Sequence, residues 1–294
     1  MAVLPAGSMP ALTVVELPGE YSFFPTSISC LAALPEPGGS LPRRLRRSGT
    51  YGVAARGLLH MQGTIGGFIG RGARHEMKNA LAAIAGLIRA AGGAGLADLL
   101  DCTAFVRSLD DVAAVRSALA EAAPAAPAFT LVRAGLEDPR QSVLLRCVAA
   151  LPAAPGVPAK VRHVSTDAGR VVTTDSFVFA SGSLGFAANG TDAFGGLERM
   201  LAAASANLGD VVNCLFFIKE QTKVFDLFAG FQEVFNQEHP PPPTRTEFAA
   251  VSECAGCSVV AKCIAARRPA VDGVPSGAAA PAAPWSEAAG PVLV

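Results

Sequence analysis

Arg245 stands first among the residues whose type and setting suit chemistry. It lies in PPPPTRTEF (240–248), where the prolines exclude helix because each lacks a backbone N–H and holds its predecessor extended. A guanidinium there is either a surface cation or a planar fork that grips a carboxylate through two parallel hydrogen bonds. Glu247, two residues on, shares a strand face with Arg245. It can serve as an acid–base group or pair with Arg245 and neutralise it, and the ion pair is the simpler role. Cys254 and Cys257 have the C-x-x-C form of a redox or zinc half-site. Zinc takes four ligands, yet only Cys263 follows and no histidine accompanies it, so two thiols in a turn is the preferred reading. His60, His75, His163 and His239 are dispersed and make no ligand set. GTIGGFIGRG (63–72) lacks the Lys-Ser/Thr ending of a phosphate loop and reads as a strand-to-helix loop. RRLRR (43–47) has no interleaved aromatic and reads as a solvated linker.

The elements that must position these residues come in two series. YGVAAR and LLHMQG, split at Gly57, form a strand pair, and Met77, Leu81, Ile84 and Ile88 recur at helical spacing up to Gly92–Gly93. DLLDCTAFV follows as an apolar strand and DDVAAVRSALAEAA as a second helix. FTLVRAGL and SVLLRCVAAL then close the unit as a hairpin. After the Pro-rich 152–160 the order recurs. RVVTT and FVFASG form a strand pair. A helix follows with Leu197, Leu201, Ala204 and Leu208 on one face, then the strand DVVNCLFFIK. A second helix carries Phe225, Phe228, Phe231 and Phe235 as its core stripe. A second hairpin runs from Arg245–Val251 to Ser258–Ala266, turning at Glu253–Cys257.

SVLLRCVAA (142–150) matches SVVAKCIAA (258–266), and DLLDCTAFVR matches DVVNCLFFIK. The repeat implies two tandem copies of one α+β fold of order ββαβαββ, each a mixed sheet with two helices on one face. The expected division is an N-terminal extension at 1–45 with a strand near Tyr21–Phe24, units at 46–151 and 161–266, a linker at 152–160 and a disordered tail from 267. The bare sheet faces call for a partner, and oligomerisation is the usual solution.

Composition narrows the classes. The 294 residues are 51% hydrophobic and 16% charged, with 24 Lys and Arg against 24 Asp and Glu. That content supports sizeable cores, and the balance gives no whole-chain field toward nucleic acid or membrane. No apolar run reaches the length of a transmembrane helix. The N-terminal segment lacks the basic start of a secretory signal, while organellar targeting stays open. Seven cysteines without disulfide-framework spacing suggest thiols in a reducing, cytoplasmic setting, with Cys102, Cys147, Cys214 and Cys263 as small core residues. No cofactor and no metal are expected.

ASG-x-LG (180–185), DVV-x-C-x-FFIK, a helix ending FNQEH, PPPPTRT and VVAKCIAA together resemble the reactive intermediate deaminase family (RidA, or YjgF-like). The likeness spans about 161–266 and, more faintly, 48–151. It implies a chorismate-mutase-like fold, trimeric assembly with ligand clefts between subunits, and hydrolysis of 2-imino or enamine acids to 2-keto acids and ammonia. The family's carboxylate-binding arginine falls on Arg245, with Thr246, Ser181 and Gly182 as further substrate-binding positions. The glutamate that orients water in active members falls on Val260, which neither accepts a proton nor holds water. Glu247 is the substitute catalytic candidate. The family's Asn falls near Phe228 or Ala229, and its N-terminal Tyr near Ala168. In the first copy the Arg and Glu positions are Phe129 and Leu144, which makes that copy a scaffold. The implied partners are a small carboxylate ligand and other copies of the chain or another family member. Two functions remain open: an imine or enamine deaminase, and a non-catalytic carboxylate-binding or assembly protein.

Overall fold

The computed structural model describes residues 42–47, 49–65, 67, 69–154, 157–184, 191–219, 223–235, 244–248 and 259–267. The expectations for Tyr21–Phe24, His239, Cys254, Cys257 and the tail beyond 267 lie outside them.

The first sheet contains β1 (Arg43–Arg47), β2 (Thr50–Ala55), β3 (Leu58–Met61), β4 (Thr64–Ile65), β5 (Leu99–Val106), β6 (Ala128–Arg133) and β7 (Val143–Ala150). Its order is β1-β2-β3-β7-β5-β6, with β4 also on β7. Helices α1 (Ala73–Ala90) and α2 (Val112–Ala122) cover one face. The second sheet contains β8 (Arg162–Ser165), β9 (Gly169–Thr173), β10 (Phe177–Leu184), β11 (Val211–Ile218), β12 (Thr244–Phe248) and β13 (Val259–Ala266). Its order, β8-β9-β10-β13-β11-β12, repeats the first. Helices α3 (Thr191–Ala203) and α4 (Val224–Val234) complete it. The architecture is mixed α+β.

Two expectations about topology are corrected. RRLRR is no linker but the edge strand β1, paired antiparallel along its whole length with β2 from Arg43↔Ala54 to Arg47↔Thr50. A strand of that kind, matched by β8 in the second unit, precedes each expected ββαβαββ series. Nor do the last two strands of either unit form a hairpin. β6 runs parallel to β5, and β12 parallel to β11, at the sheet edges. β7 lies between β3 and β5, and β13 between β10 and β11. The reason is visible in VLLRCVAA and VVAKCIAA. They are apolar on both faces and so fit a central strand better than an edge.

Each core sits between a sheet and its helices. Met77, Leu81, Ile84 and Ile88 are buried as their spacing predicts, as are Leu197 and Leu201 of α3. Ala204 and Leu208 are buried too, but α3 ends at Ala203 and Leu208 opens a separate 3-10 turn, Leu208–Asp210, so the expected helix face stops short of them. The buried Glu76 carboxylate accepts N–H bonds from Gly70, Ser142 and Val143, tying the start of α1 to β7. In the second unit Phe194 stands edge-on to Phe216, Phe231 and Phe235. Phe225 and Phe228 do not join them; they are 77% and 48% exposed, because the helix turns only the 231/235 side inward. The strand cysteines are not free thiols. Cys102–Cys147 and Cys214–Cys263 are disulfides between residues directly opposite on neighbouring antiparallel strands. The cysteine pattern therefore no longer argues for a reducing compartment. Among the described residues no helix is long and apolar enough to cross a membrane.

Candidate functional site

The sheet faces turned away from the helices meet each other. One shared apolar cluster joins Phe105, Val132, Ala134, Leu136 and Leu144 of the first unit to Phe217 and Val260 of the second. Another joins Leu58, Leu100, Ala128 and Ala150 to Val172 and Phe179. The bare face for which the sequence demanded a partner thus finds one, in part, inside the same chain.

A buried polar row crosses this seam. Thr103 and Thr130 are lateral neighbours on β5 and β6, and Ser181 and Lys262 on β10 and β13. Ser181 Oγ lies 2.5 Å from Thr130 Oγ1, and donates to the Phe129 carbonyl at 3.3 Å. Lys262 Nζ donates to Thr103 Oγ1 at 2.7 Å and to the Cys102 carbonyl at 3.0 Å, and lies 2.8 Å from Asp101 Oδ1. Ser181 and Lys262 are 4% and 7% exposed, so the row is shielded from water and specifies how the sheets dock. The Ser181 hydroxyl is thus engaged across the seam.

Gly182 leaves no room for a side chain. A Cβ on it would lie 2.3 Å from the Ala168 carbonyl oxygen and 3.0 Å from Met200. Its neighbour across the ladder is Gly169, whose φ of +156° favours glycine. The two glycines let β9 and β10 approach closely beneath Met200.

On β12, Arg245 stands beside Leu215, Thr246 beside Phe216 and Glu247 beside Phe217. The repeat makes Thr246 the counterpart of Thr130, and Leu215 that of Thr103. Thr103 pairs with Thr130, whereas Leu215 pairs with Arg245. The second edge strand is slipped by one residue relative to its copy, and such a slip exchanges strand faces. Nothing in the sequence signals it. One lateral row then reads Arg245, Leu215, Lys262, Ser181, Arg170, and the next Glu247, Phe217, Val260, Ser183. Val260 is 0% exposed within the shared cluster, as its place in a central strand demands. Glu247 lies two strand spacings from it, roughly 10 Å.

The first unit's matching positions are apolar too. Phe129 packs on the α1/α2 core and Leu144 in the inter-sheet cluster. In the unit's β3, His60 lies where the second unit has Phe179. Burial, then the Arg146 guanidinium, hold its pKa below the usual histidine value, against a smaller opposing pull from Asp101. Among the described residues no three His, Cys, Asp or Glu side chains gather into a metal site.

No protein-family model matches the chain, and no curated protein does. Solved structures do. A YjgF-family protein from Neisseria meningitidis is 27% identical over 35% of this chain and 87% of its own, with a TM-score of 0.33. A YjgF-family protein from Mycobacterium tuberculosis is 24% identical over 34% and 84%, with a TM-score of 0.32. RidA from an Antarctic Psychrobacter is 17% identical over 34% and 85%, with a TM-score of 0.32. Each likeness spans about a third of this chain. The RidA-like fold rests on the strand order and helix placement of the two units themselves.

Proposed function

We propose that this chain is a RidA-like carboxylate-binding protein that has given up the family's hydrolytic step. One observation carries the reading: position 260, where an active member holds its water-orienting glutamate, is a fully buried valine among Phe217, Phe105, Val132 and Leu144. That surrounding offers neither a proton acceptor nor room for an attacking water. Glu247 is two strands away and does not stand in for it. Arg245 remains as the fork for a small 2-keto or 2-imino acid, with Thr246 beside it. The same reading gives the tandem units, divided near 152–160, an assembly role, in which copies of the chain or another family member cover the sheet surface that the in-chain seam leaves open.

A second reading, imine deamination, draws on the closeness of Arg245 and Glu247 on one edge strand. Imines also hydrolyse in water unaided, so a polarising arginine alone would have a rate to enhance. The deciding experiment pairs two assays on the full chain and on Arg245→Ala. Calorimetric titration with a 2-keto acid should show binding that weakens at least tenfold in the variant. Ammonia release from a freshly generated 2-imino acid should match the uncatalysed rate in both. Acceleration that disappears in Arg245→Ala would overturn the binding-only reading in favour of the deaminase.

A further inference from the structure

Phe225 and Phe228 of α4 stand on one side of the helix, 77% and 48% exposed. Nothing in the fold asks for them there. In the first unit α2 follows β5 and precedes β6, as α4 follows β11 and precedes β12. Its VAAVRSALAEA is as long as VFDLFAGFQEV. At the places of Phe225 and Phe228 it carries Ala113 and Arg116, both exposed. A helix in this position does without aromatics on its outer side. Two large apolar side chains left in water therefore mark a contact surface.

The opposite side of the molecule holds a cavity that fits them. Between the C-terminal ends of α1 and α2, Ala85, Arg89, Leu96, Ala97 and Ala122–Ala125 line a space of about 350 Å³. An apolar cavity of about 150 Å³ holds one benzene, so this one takes two phenyl rings. The α4 of the same chain cannot reach it. The two sheets meet back to back, which puts α1 and α2 on one outer side and α4 on the other.

Charge favours the same match. Residues 42–151 hold 14 Lys and Arg against 8 Asp and Glu, a net of +6, and residues 161–267 hold 8 against 11, a net of −3. Part of the excess gathers at the cavity. Arg89 lines it, Arg43 donates to the Ala91 carbonyl just past α1 at 3.2 Å, and Arg47 lies against Gly86. Among the described residues none of these three forms an ion pair. On α4 the exposed Asp226 and Glu233 lie to either side of Phe228 along the helix, and Asp226 holds Lys223 at 3.2 Å. A basic unit offering a hole and an acidic unit offering a knob are complementary.

We propose that α4 of one copy of this chain, through Phe225 and Phe228, docks in the α1/α2 cavity of a second copy. Knob and hole are different surfaces on opposite sides of the chain, so the contact is head-to-tail and builds a ring or a filament. Helix faces make it, and the sheet surface left open by the in-chain seam is not used.

Sedimentation equilibrium of the full chain tests this with two variants. Phe225→Ala/Phe228→Arg gives α4 the residues that α2 carries and keeps the cavity. Ala97→Glu/Ala125→Glu crowds the exposed mouth of the cavity and keeps the phenylalanines. The weight-average mass of the parent should rise with concentration. Either variant alone should need about tenfold or more protein to do the same. The two variants mixed should gain mass at parent concentrations, because the phenylalanines of one meet the intact cavity of the other. Circular dichroism checks that both fold; should the double change in α4 lower helicity, Phe225→Ala alone gives the same readout. A parent mass indifferent to concentration overturns the proposal. Association of the cavity variant alone at parent concentrations does so too, as the mark of a symmetric α4–α4 contact. So do association of the phenylalanine variant alone and a mixture no heavier than its parts.

Discussion

Lys262 of β13 and Asp101 of β5 form an ion pair, 2.8 Å between Nζ and Oδ1, that ties one sheet to the other. Lys262 is 7% exposed and the Asp101 side chain 19%. Removing one partner leaves a charge with little water to compensate it. Lys262→Ala should therefore lower stability by about 3 kcal/mol, read as a shift in the urea midpoint. The double change Lys262→Met/Asp101→Asn should recover more than half of the loss, because it removes the stranded charge as well.

The two disulfides cross between directly opposed strand positions in the cores of both units. All four sulfur-bearing residues are at most 2% exposed, so a reductant reaches them only when the units open. Alkylation of the native protein, followed by mass spectrometry, should modify at most three of the seven cysteines, leaving Cys102, Cys147, Cys214 and Cys263 unlabelled. Dithiothreitol should change that count only in the presence of denaturant. Cys214→Ala/Cys263→Val should cost about 2–4 kcal/mol.

The helices and most strands were legible because their apolar residues keep strict periods: Met77, Leu81, Ile84 and Ile88 predicted a buried face and occupy one. The like strand order of the two units was legible because corresponding strands carry cysteines at corresponding places. The pairing of those cysteines was not, since it depends on which strands become neighbours. Local sequence brings β12 and β13 together as a hairpin, whereas β13 is drawn between β10 and β11 by the need to bury two faces. Arg245 was singled out from its proline context, but the one-residue slip of β12 and the contact of Ser181 with Thr130 arise from tertiary packing.

His60 gives a pH dependence with a definite sign. Its folded pKa is depressed, chiefly by burial and then by Arg146. The unfolded chain therefore takes up a proton near the ordinary value of about 6.5 while the folded chain does not. Stability is unaffected by this group above that pH and falls as the pH drops through 6.5 toward the lower folded value. His163, lowered first by burial, adds a loss of the same sign. His60→Phe, which copies Phe179 of the second unit, removes one of the two terms. Urea midpoints measured at pH 7.5 and pH 5.5 should therefore differ less in the variant than in the parent.

Val260→Glu puts the proposed loss of hydrolysis to its most direct test. The new carboxyl would lie beside Phe217 in an apolar cluster, where desolvation raises its pKa, by up to 3–5 units for full burial. The variant should be less stable than the parent by about 2 kcal/mol or more at pH 8, and most of that loss should disappear near pH 5, where the carboxyl is neutral. Deaminase activity should not appear, because the seam with Phe105, Val132 and Leu144 still excludes the attacking water. A Val260→Glu protein that is stable at pH 8 and accelerates imine hydrolysis would mean that the seam opens to solvent, and the site would then have to be read as a catalytic cleft with one residue missing.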